Sequence, residues 1–253
     1  MHKYIDAHCH LQHSENPCDV MINAQSYGIV GAICNSATPN DWDDILALHK
    51  KCKNIYACIG VHPWEINNIK FDWHSSLHNI LQNNPDVMIG ECGLDKNYPD
   101  MQQQEQFFIA HLDAGHKYGR TVHIHCVGAW DRIMHILKSC GKNLPPKIVA
   151  HSFAGPANII EQLATKYNAY FSYSPMITDS RYRRAIDALI NTPQNRILIE
   201  SDSDNPSVVI DVANAVAKIK SIAADKMSDI IYNNTITVLT DGQITQNTII
   251  TGG

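Results

Sequence analysis

The segment YIDAHCH, residues 4–10, decides the fold. Its apolar character predicts a buried β-strand, and the side chains of a strand alternate between two faces. His8 and His10 therefore project to one face, while Cys9 points the opposite way, toward the helices that cover the sheet. The same alternation places Asp6 one layer below the histidines, where we expect it to orient an imidazole. Two interpretations of the histidine pair remain open at this point: metal ligands, or packed residues of the core.

Eight apolar runs recur along the chain and alternate with segments of helical periodicity. The predicted strands are residues 4–8, 28–34, 55–61, 87–91, 121–125, 147–151, 169–173 and 196–201. The predicted helices are 16–26, 40–51, 71–83, 101–119, 128–140, 156–167, 178–190, 206–220 and 226–239. Near-continuous apolar strands that alternate with amphipathic helices indicate βαβ units and a parallel sheet.

The number of units favours an α/β fold of the TIM (β/α)8 barrel type over an open doubly wound sheet. Periodicity does not report closure, so the open sheet stays as the alternative. No G-x-G-x-x-G follows the first strand, however, and that strand itself carries candidate ligands. The length of 253 residues fits one such barrel, although two smaller domains are also compatible with it. We expect a barrel over residues 1–239 and a flexible C-terminal tail over 240–253.

Four further predicted strands end on side chains that commonly bind metal ions. They are Glu91 in VMIGECGLD, His125 in TVHIHC, His151 in KIVAHSF and Asp202 in ILIESD. A carboxylate at the end of a buried strand is costly unless it is paired or bound to a cation. Taken singly, Glu91 is also compatible with a solvated strand end, and His151 with a core histidine. A metal centre at the C-terminal ends of the strands explains all of these positions together, because that end of a TIM barrel carries the active site.

Two aromatic side chains complete the candidate site. His62 in GVHPW ends the third predicted strand, and Trp64 follows in the loop. A substrate contact fits His62 better than metal ligation, and Trp64 is predicted to contact substrate as well. His123 shares a face with His125 but lies deeper, so we interpret it as a core histidine with satisfied hydrogen bonds.

Composition restricts the function. The net charge is -5, the pI is near 6.2 and no long run of Lys or Arg occurs, which argues against a protein held on nucleic acid by phosphate neutralisation. A nuclease is still compatible, because metal ions can supply the positive charge at a phosphodiester. The eight cysteines form no C-x-x-C pair, the N-terminus lacks an apolar signal region and no stretch has the length of a membrane span. We expect a cytoplasmic protein with reduced thiols and no membrane association.

At these motifs the chain resembles the TatD family of metal-dependent hydrolases, within the amidohydrolase-like barrels. The matching motifs are IDAHCHL, GVHPW, GECGLD, VHIHC, AHSFAG and LIESD, and they occur in order over about residues 1–239. Members of this family are commonly described as deoxyribonucleases. The resemblance implies a TIM barrel with two divalent cations and DNA or a small phosphoester as substrate, and it does not imply an obligate protein partner.

The resemblance also implies a role for each candidate ligand. His8 and His10 would hold the first cation, and His125 and His151 the second. Glu91 would lie between the two cations as a shared ligand. Asp202 would bind the first cation and act as the catalytic acid and base, so Glu91 and Asp202 are the expected catalytic residues.

Four positions depart from the family pattern. Gln12 stands where Asp or Asn usually follows H-x-H-L, Thr121 replaces a Pro, and Val127 replaces the Arg of H-x-R. The usual E-T-D-x-P reads E-S-D-S-D here, with Asp204 at its end and the proline displaced to Pro206. The expected metal ligands are intact. Val127 and Asp204 fall where an anionic substrate would lie, and they keep other substrate classes open.

The leading hypothesis is a deoxyribonuclease that hydrolyses phosphodiester bonds through a binuclear centre. The first alternative is an amidohydrolase-like barrel that acts on a small ester, lactone or amide. The second is a non-catalytic metal-binding protein, for which we would expect loss of Asp202 or of a ligand. Imidazole and carboxylate ligands suit Zn, Mn, Fe, Co or Ni, with Mg less natural but open.

Overall fold

In the computed structural model, residues 2–240 are described, and eight strands form one parallel sheet in sequential order. The strands are β1 (Tyr4–Cys9), β2 (Ile29–Asn35), β3 (Ile55–Ile59), β4 (Met88–Asp95), β5 (Val122–Val127), β6 (Ile148–Ala150), β7 (Ala169–Tyr173) and β8 (Ile197–Ile199). The chain leaving β8 returns to β1, where the Asp202 amide donates to the His8 carbonyl at 3.0 Å. The fold is therefore the predicted α/β TIM barrel.

Helices alternate with the strands and cover the outside of the barrel. They are α1 (Pro17–Gln25), α2 (Trp42–Lys51), α3 (Trp73–Asn83), α4 (Met101–Tyr118), α5 (Trp130–Cys140), α6 (Ile160–Lys166), α7 (Arg183–Asn191), α8 (Val209–Ile219) and α9 (Ala224–Thr240). Local signals set several of their ends. Pro17 occupies the first turn of α1, the Asp72 carboxylate accepts from the Ser75 amide at the start of α3, and Gly119 ends α4 in the left-handed region.

Helix α9 lies at the end of the barrel opposite to the candidate site. Its Leu239 packs with Ile5 and Met88 from the amino ends of β1 and β4. The Thr121 hydroxyl, just before β5, donates to the Val238 carbonyl at 3.4 Å. The amino-terminal end of the barrel is thus covered, and its carboxyl end is left for the site.

All of the predicted strands and helices are present, with shifted ends. β4 extends beyond the predicted 87–91, whereas β6 and β8 are shorter than predicted. The helix predicted from residue 178 begins at Arg183, because the 3-10 turn Pro175–Thr178 is followed by a turn in which the Tyr182 amide donates to the Asp179 carbonyl at 3.0 Å. The domain boundary at residue 239 stays a prediction, and the predicted tail, apart from Thr240, lies outside the described residues.

The prediction that the thiols are reduced is wrong for one pair. Cys18 of α1 and Cys52, which follows α2, are joined in a disulfide with their Cα atoms 6.2 Å apart. They are 34 residues apart in sequence, and the packing of neighbouring helices brings them together. No local spacing could show this pairing. The other six cysteines are free, and four of them are buried in the barrel strands.

None of the helices in residues 2–240 combines the length and the apolar character needed to cross a lipid bilayer.

Strands β4 and β5 approach each other more closely than side chains would permit. Gly93 pairs with His125 in the sheet register and has a φ of +149°. A Cβ atom at Gly93 would lie 1.9 Å from the carbonyl oxygen of His125. Gly90 is similarly restricted, since its Cβ would lie 2.8 Å from the His123 carbonyl oxygen. Glycine at both positions lets β4 carry Glu91 toward β5.

We predict that Gly93→Ala lowers the free energy of unfolding by at least about 2 kcal/mol, because the added methyl group forces β4 and β5 apart. Urea denaturation followed by circular dichroism measures the change. Gly119→Asn is the matched control, since a Cβ at that position meets nothing within 4 Å and Asn tolerates the left-handed region. An equal loss in the two variants would contradict the steric explanation.

Candidate metal centre

The expected ligands converge at the carboxyl end of the barrel. They come from the end of β1, the middle of β4, the second half of β5 and the residues that follow β1, β6 and β8, namely His8, His10, Glu91, His125, His151 and Asp202. Within this group, the ligand atoms of His8, His10 and Glu91 lie within 4.8 Å of one another. Those of His8, His151 and Asp202 do so as well, and so do those of His62, Glu91 and His125, so His8 and Glu91 each belong to two of these three sets.

Glu91 lies at the centre of this group and is almost fully buried. Its Oε2 atom is 3.2 Å from Nε2 of His8 and 4.0 Å from Nε2 of His10. Its Oε1 atom is 2.8 Å from Nδ1 of His125 and 3.1 Å from Nε2 of His151. Each carboxylate oxygen therefore faces a different pair of the expected ligand histidines. A carboxylate in this arrangement can bind one cation through each oxygen.

The outer nitrogens of two ligand candidates donate to protein acceptors. Nδ1 of His10 is 3.0 Å from the Asn35 carbonyl oxygen, and Nδ1 of His151 is 3.1 Å from Oε1 of Glu200. Because a carbonyl and a carboxylate only accept, Nδ1 carries the proton in both rings. In the neutral rings Nε2 keeps its lone pair and faces the centre. This is the tautomer that a metal ligand needs.

His125 is oriented the other way round. Its Nε2 is 3.2 Å from Oδ2 of Asp95, while its Nδ1 faces Glu91. Asp95 is itself fixed, because its Oδ1 atom accepts from the Asn97 amide at 2.8 Å. Nδ1 is therefore the nitrogen of His125 that is available to a cation.

His8 provides the sharpest test of whether a cation fits. It is fully buried, and neither of its ring nitrogens has a hydrogen-bond partner among residues 2–240. Its Nε2 atom lies 3.2 Å from Oε2 of Glu91 without forming a hydrogen bond. Burial and the neighbouring His151 lower the pKa of His8, so this ring is neutral. An unpartnered imidazole that faces a buried carboxylate oxygen fits a divalent cation between them.

The acidic groups of the centre are ionised. Burial would raise the pKa of Glu91, but the charge of His151 and the hydrogen bond from His125 outweigh it and hold the pKa well below its usual range. Burial would likewise raise the pKa of Asp202, yet His151 and His10 lower it to about 2. For His10, burial is outweighed by Asp202 and Glu91, which raise its pKa to about 9. A metal ion that binds here must therefore displace protons from imidazoles.

His62 reaches the centre but is in the wrong tautomer for a ligand. Its Nδ1 atom accepts from the Trp64 amide at 3.2 Å, so its proton is on Nε2. That nitrogen is 3.4 Å from Oε1 of Glu91, in position to donate. Burial lowers the pKa of His62 to about 3 and keeps the ring neutral. The Trp64 ring packs on His62 at 4.0 Å and is 46% exposed at the rim of the site.

The prediction that Asp6 orients an imidazole is wrong. Its Oδ1 atom accepts from the backbone amides of His8 at 3.2 Å and Ser201 at 2.9 Å. The cause is an irregularity of β1 between Asp6 and Cys9, where the register shifts and the alternation of side chains is interrupted. Cys9 does point away as predicted, and its thiol donates to the Ile33 carbonyl.

Three further residues near the centre make contacts that were predicted only in part or not at all. His123 is buried as predicted, but its ring nitrogens have no partner in the described part of the chain. Gln12 donates to the Asn35 carbonyl oxygen that His10 also uses, at 2.9 Å. Asp95 is a partner of His125 that was not predicted from the sequence. Its position in phase with Glu91 along one strand was the signal that could have found it.

A cavity of about 880 Å³ opens beside the centre. His125, His151 and Asp202 form part of its wall, together with Val127 and Met176. Val127 is 38% exposed there. Asp204 is exposed on the loop after β8 and does not line this cavity. The centre is thus accessible to a substrate from one side.

Residues 5–240 match the family model described as TatD related DNase. The chain is 27% identical over 187 residues to a 3'-5' ssDNA/RNA exonuclease TatD of Enterobacter lignolyticus, covering 73% of this chain and 71% of the relative. It is 25% identical over 248 residues to an uncharacterized metal-dependent hydrolase of Methanocaldococcus jannaschii, covering 92% and 95%.

Solved structures agree in fold. The crystal structure of the TatD homolog YJJV from Escherichia coli superposes with a TM-score of 0.84 at 23% identity, covering 93% of this chain and 97% of that one. A TatD family hydrolase from Entamoeba histolytica gives a TM-score of 0.80 at 20% identity, covering 94% and 98%. At these identities the likeness shows the barrel fold alone.

We predict that Glu200→Gln weakens metal binding about 10- to 100-fold, because the loss of charge makes His151 a poorer ligand. Competition with a chromogenic chelator measures the affinity. Glu105→Gln serves as the control, since it removes a carboxylate that pairs with Arg132 outside the centre. We expect the control to change the affinity by less than about twofold. Equal affinities in the two variants would show that Glu200 does not support the site.

Proposed function

The chain belongs to the family of TatD-related DNases, and we propose that it is a divalent-metal-dependent nuclease that hydrolyses phosphodiester bonds of DNA through a binuclear centre. The observation that carries this proposal is the division of the Glu91 carboxylate, whose two oxygens face different histidine pairs. The name of the Enterobacter relative, an exonuclease for single-stranded DNA and RNA, supports a nucleic acid as substrate.

Two groups of residues would hold the cations. His8, His10 and Asp202 would bind the first, and His125 through Nδ1 with His151 through Nε2 would bind the second. Glu91 would contribute one oxygen to each. Imidazole and carboxylate donors suit Zn, Mn, Co or Ni better than Mg. When bound, such cations lower the pKa of water, polarise the phosphoryl group and neutralise charge on the leaving oxygen.

Asp202 would act as the general base and then as the general acid. Its pKa of about 2 keeps it ionised at neutral pH, and it lines the cavity. The hydrogen bond from the Asp202 backbone amide to the His8 carbonyl fixes Asp202 beside the ligands. From this position the carboxylate can accept the proton of an attacking water and return it to the leaving oxygen.

His62 and Trp64 would position the substrate. The Nε2–H of neutral His62 provides a donor at the centre that does not compete for the cations. The exposed ring of Trp64 offers a surface on which a base can stack, with Tyr98 at 6.2 Å beside it. These two residues would hold the terminal nucleoside next to the scissile bond.

A small ester, lactone or amide is the second candidate substrate class. The observation in its favour is the apolar wall that Val127 and Met176 give to the cavity. Loss of catalysis is disfavoured, because Asp202 and every expected ligand are present and converge. Metal-loaded protein should therefore be tested against single-stranded DNA, single-stranded RNA, bis(p-nitrophenyl) phosphate and a panel of carboxylic esters and lactones. Shortening of the DNA supports the proposal, and turnover of carboxylic esters alone would refute it.

We predict that Asp202→Asn lowers kcat on an oligonucleotide by about a hundredfold to ten-thousandfold, because proton transfer is lost while the fold is kept. The matched control is Asp211→Asn, which removes an exposed carboxylate of α8. Thermal denaturation of both variants checks that folding is unaffected. A kcat within a few-fold of the parent protein would exclude Asp202 as the proton carrier.

Metal removal should inactivate and destabilise the protein. After dialysis against EDTA we expect no cleavage of single-stranded DNA, and activity should return as about two equivalents of Mn²⁺ or Zn²⁺ are added. At a metal concentration of 100 Kd, each site should add about 2.7 kcal/mol to the free energy of unfolding. Saturation of both readouts at one equivalent would contradict the binuclear centre.

A further inference from the structure

A short basic segment at the start of α7 points to a second contact with the substrate. We propose that Arg181-Tyr-Arg-Arg184 binds the sugar–phosphate backbone of a single-stranded nucleic acid and holds the strand in the cavity beside the metal centre. The inference rests on the proposed nuclease function. It adds the surface by which the protein would prefer a polyanionic strand to a small ester.

Positive charge is unusually concentrated here. The chain carries six arginines in 253 residues and a net charge of -5, yet three of those arginines lie within these four positions. All four side chains of the segment are exposed. A run of this length, interrupted by Tyr182, is too short to stand out as a basic stretch. Its importance depends on what the fold places beside it.

The fold places the segment at the candidate site. Arg184 lines the same cavity of about 880 Å³ as His125, His151 and Asp202. Among the described residues of the cavity wall, Arg184 is the only Lys or Arg. The wall formed by β5 ends on the apolar Val127, so α7 is the element that supplies a cation to this space.

Two of the three guanidinium groups are available to a ligand. Arg181 is occupied by Asp179, since its Nε donates to both carboxylate oxygens at 3.0 and 2.8 Å. Arg183 and Arg184 form no hydrogen bond or ion pair with any residue in 2–240. A guanidinium group that faces a cavity without a protein partner can bind phosphate oxygens in a bidentate manner.

Stability of α7 does not explain these arginines. Positive charge in the first turn of a helix opposes the helix dipole, and α7 has no acidic residue in its first turn to compensate.

Two acids, Asp131 and Asp187, also line the cavity. Binding of a phosphate group there depends on its direct contacts with the arginines and not on the overall electrostatic potential of the cavity. Removing the Asp187 charge, one turn after Arg184, should therefore strengthen binding.

Exposed aromatic side chains lie within the segment and on the side of the centre that carries His62. Tyr182 is 45% exposed within the segment, and Trp64 and Tyr98 are exposed on the side of His62. Alternation of arginines with stacking surfaces is typical of sites for single-stranded nucleic acid. A strand whose terminal base stacks on Trp64 could cross the metal centre and continue along Arg184 and Arg183.

The test is equilibrium binding to metal-loaded protein, measured by fluorescence anisotropy with a labelled dT12 oligonucleotide that carries phosphorothioate linkages to resist cleavage. The double variant Arg183→Gln/Arg184→Gln should raise Kd about tenfold at low salt. It should also reduce the slope of log Kd against log salt by about 1.4, since each contact to a single strand contributes about 0.7. Asp187→Asn should lower Kd.

The matched control is Lys51→Gln/Lys53→Gln, which removes the same charge from exposed positions at the opposite end of the barrel, beside the start of β3. The inference is supported if only the arginine variant loses affinity and salt dependence. It is overturned if the two variants bind equally, or if the parent protein does not bind dT12.

Cleavage of unmodified dT12 by the parent protein is measured in parallel and separates the two proposals. Arginine-dependent binding without cleavage would refute the nuclease and leave the basic segment as a strand-binding surface. Cleavage with binding that is indifferent to both arginines would refute the segment and leave the nuclease intact.

Discussion

The burial of one ionised carboxylate, Glu91, among imidazoles is the constraint on which the rest of the structure depends. An isolated charge at this depth would be costly, so the surrounding groups must compensate it. Four strand ends direct ring nitrogens at its two oxygens, and the glycines of β4 permit the approach to β5 that brings His125 to 2.8 Å. The centre exists because a closed parallel barrel brings residues from distant parts of the sequence to one end.

A second set of groups determines what these imidazoles can do. The Asn35 carbonyl, Asp95 and Glu200 each hold the outer nitrogen of one histidine, and the Trp64 amide holds that of His62. In three rings an acceptor holds the outer nitrogen, which leaves the inner nitrogen available to a cation. In His62 the outer nitrogen accepts from an amide, so the inner nitrogen carries the proton and donates. Rings of one chemical type therefore have two different functions, and the partner of the outer nitrogen decides which function each ring has.

Regular features of the chain could be predicted from the sequence, and irregular ones could not. The period of the apolar runs predicted the barrel, and residue type at strand ends predicted the convergence of His8, Glu91 and Asp202. The role of Asp6 was missed because a register shift in β1 breaks the alternation on which the prediction relied. The disulfide between Cys18 and Cys52 depends on helix packing. The position of Arg184 beside the centre depends on where α7 begins.

The most direct test of the central claim is a crystal structure of the metal-loaded protein with anomalous difference maps collected at the absorption edge of the bound metal. We expect two peaks separated by Glu91, one on Oε2 with His8 and His10 and the other on Oε1 with Nδ1 of His125 and Nε2 of His151. A single peak, or two peaks that both contact the same oxygen of Glu91, would contradict this account.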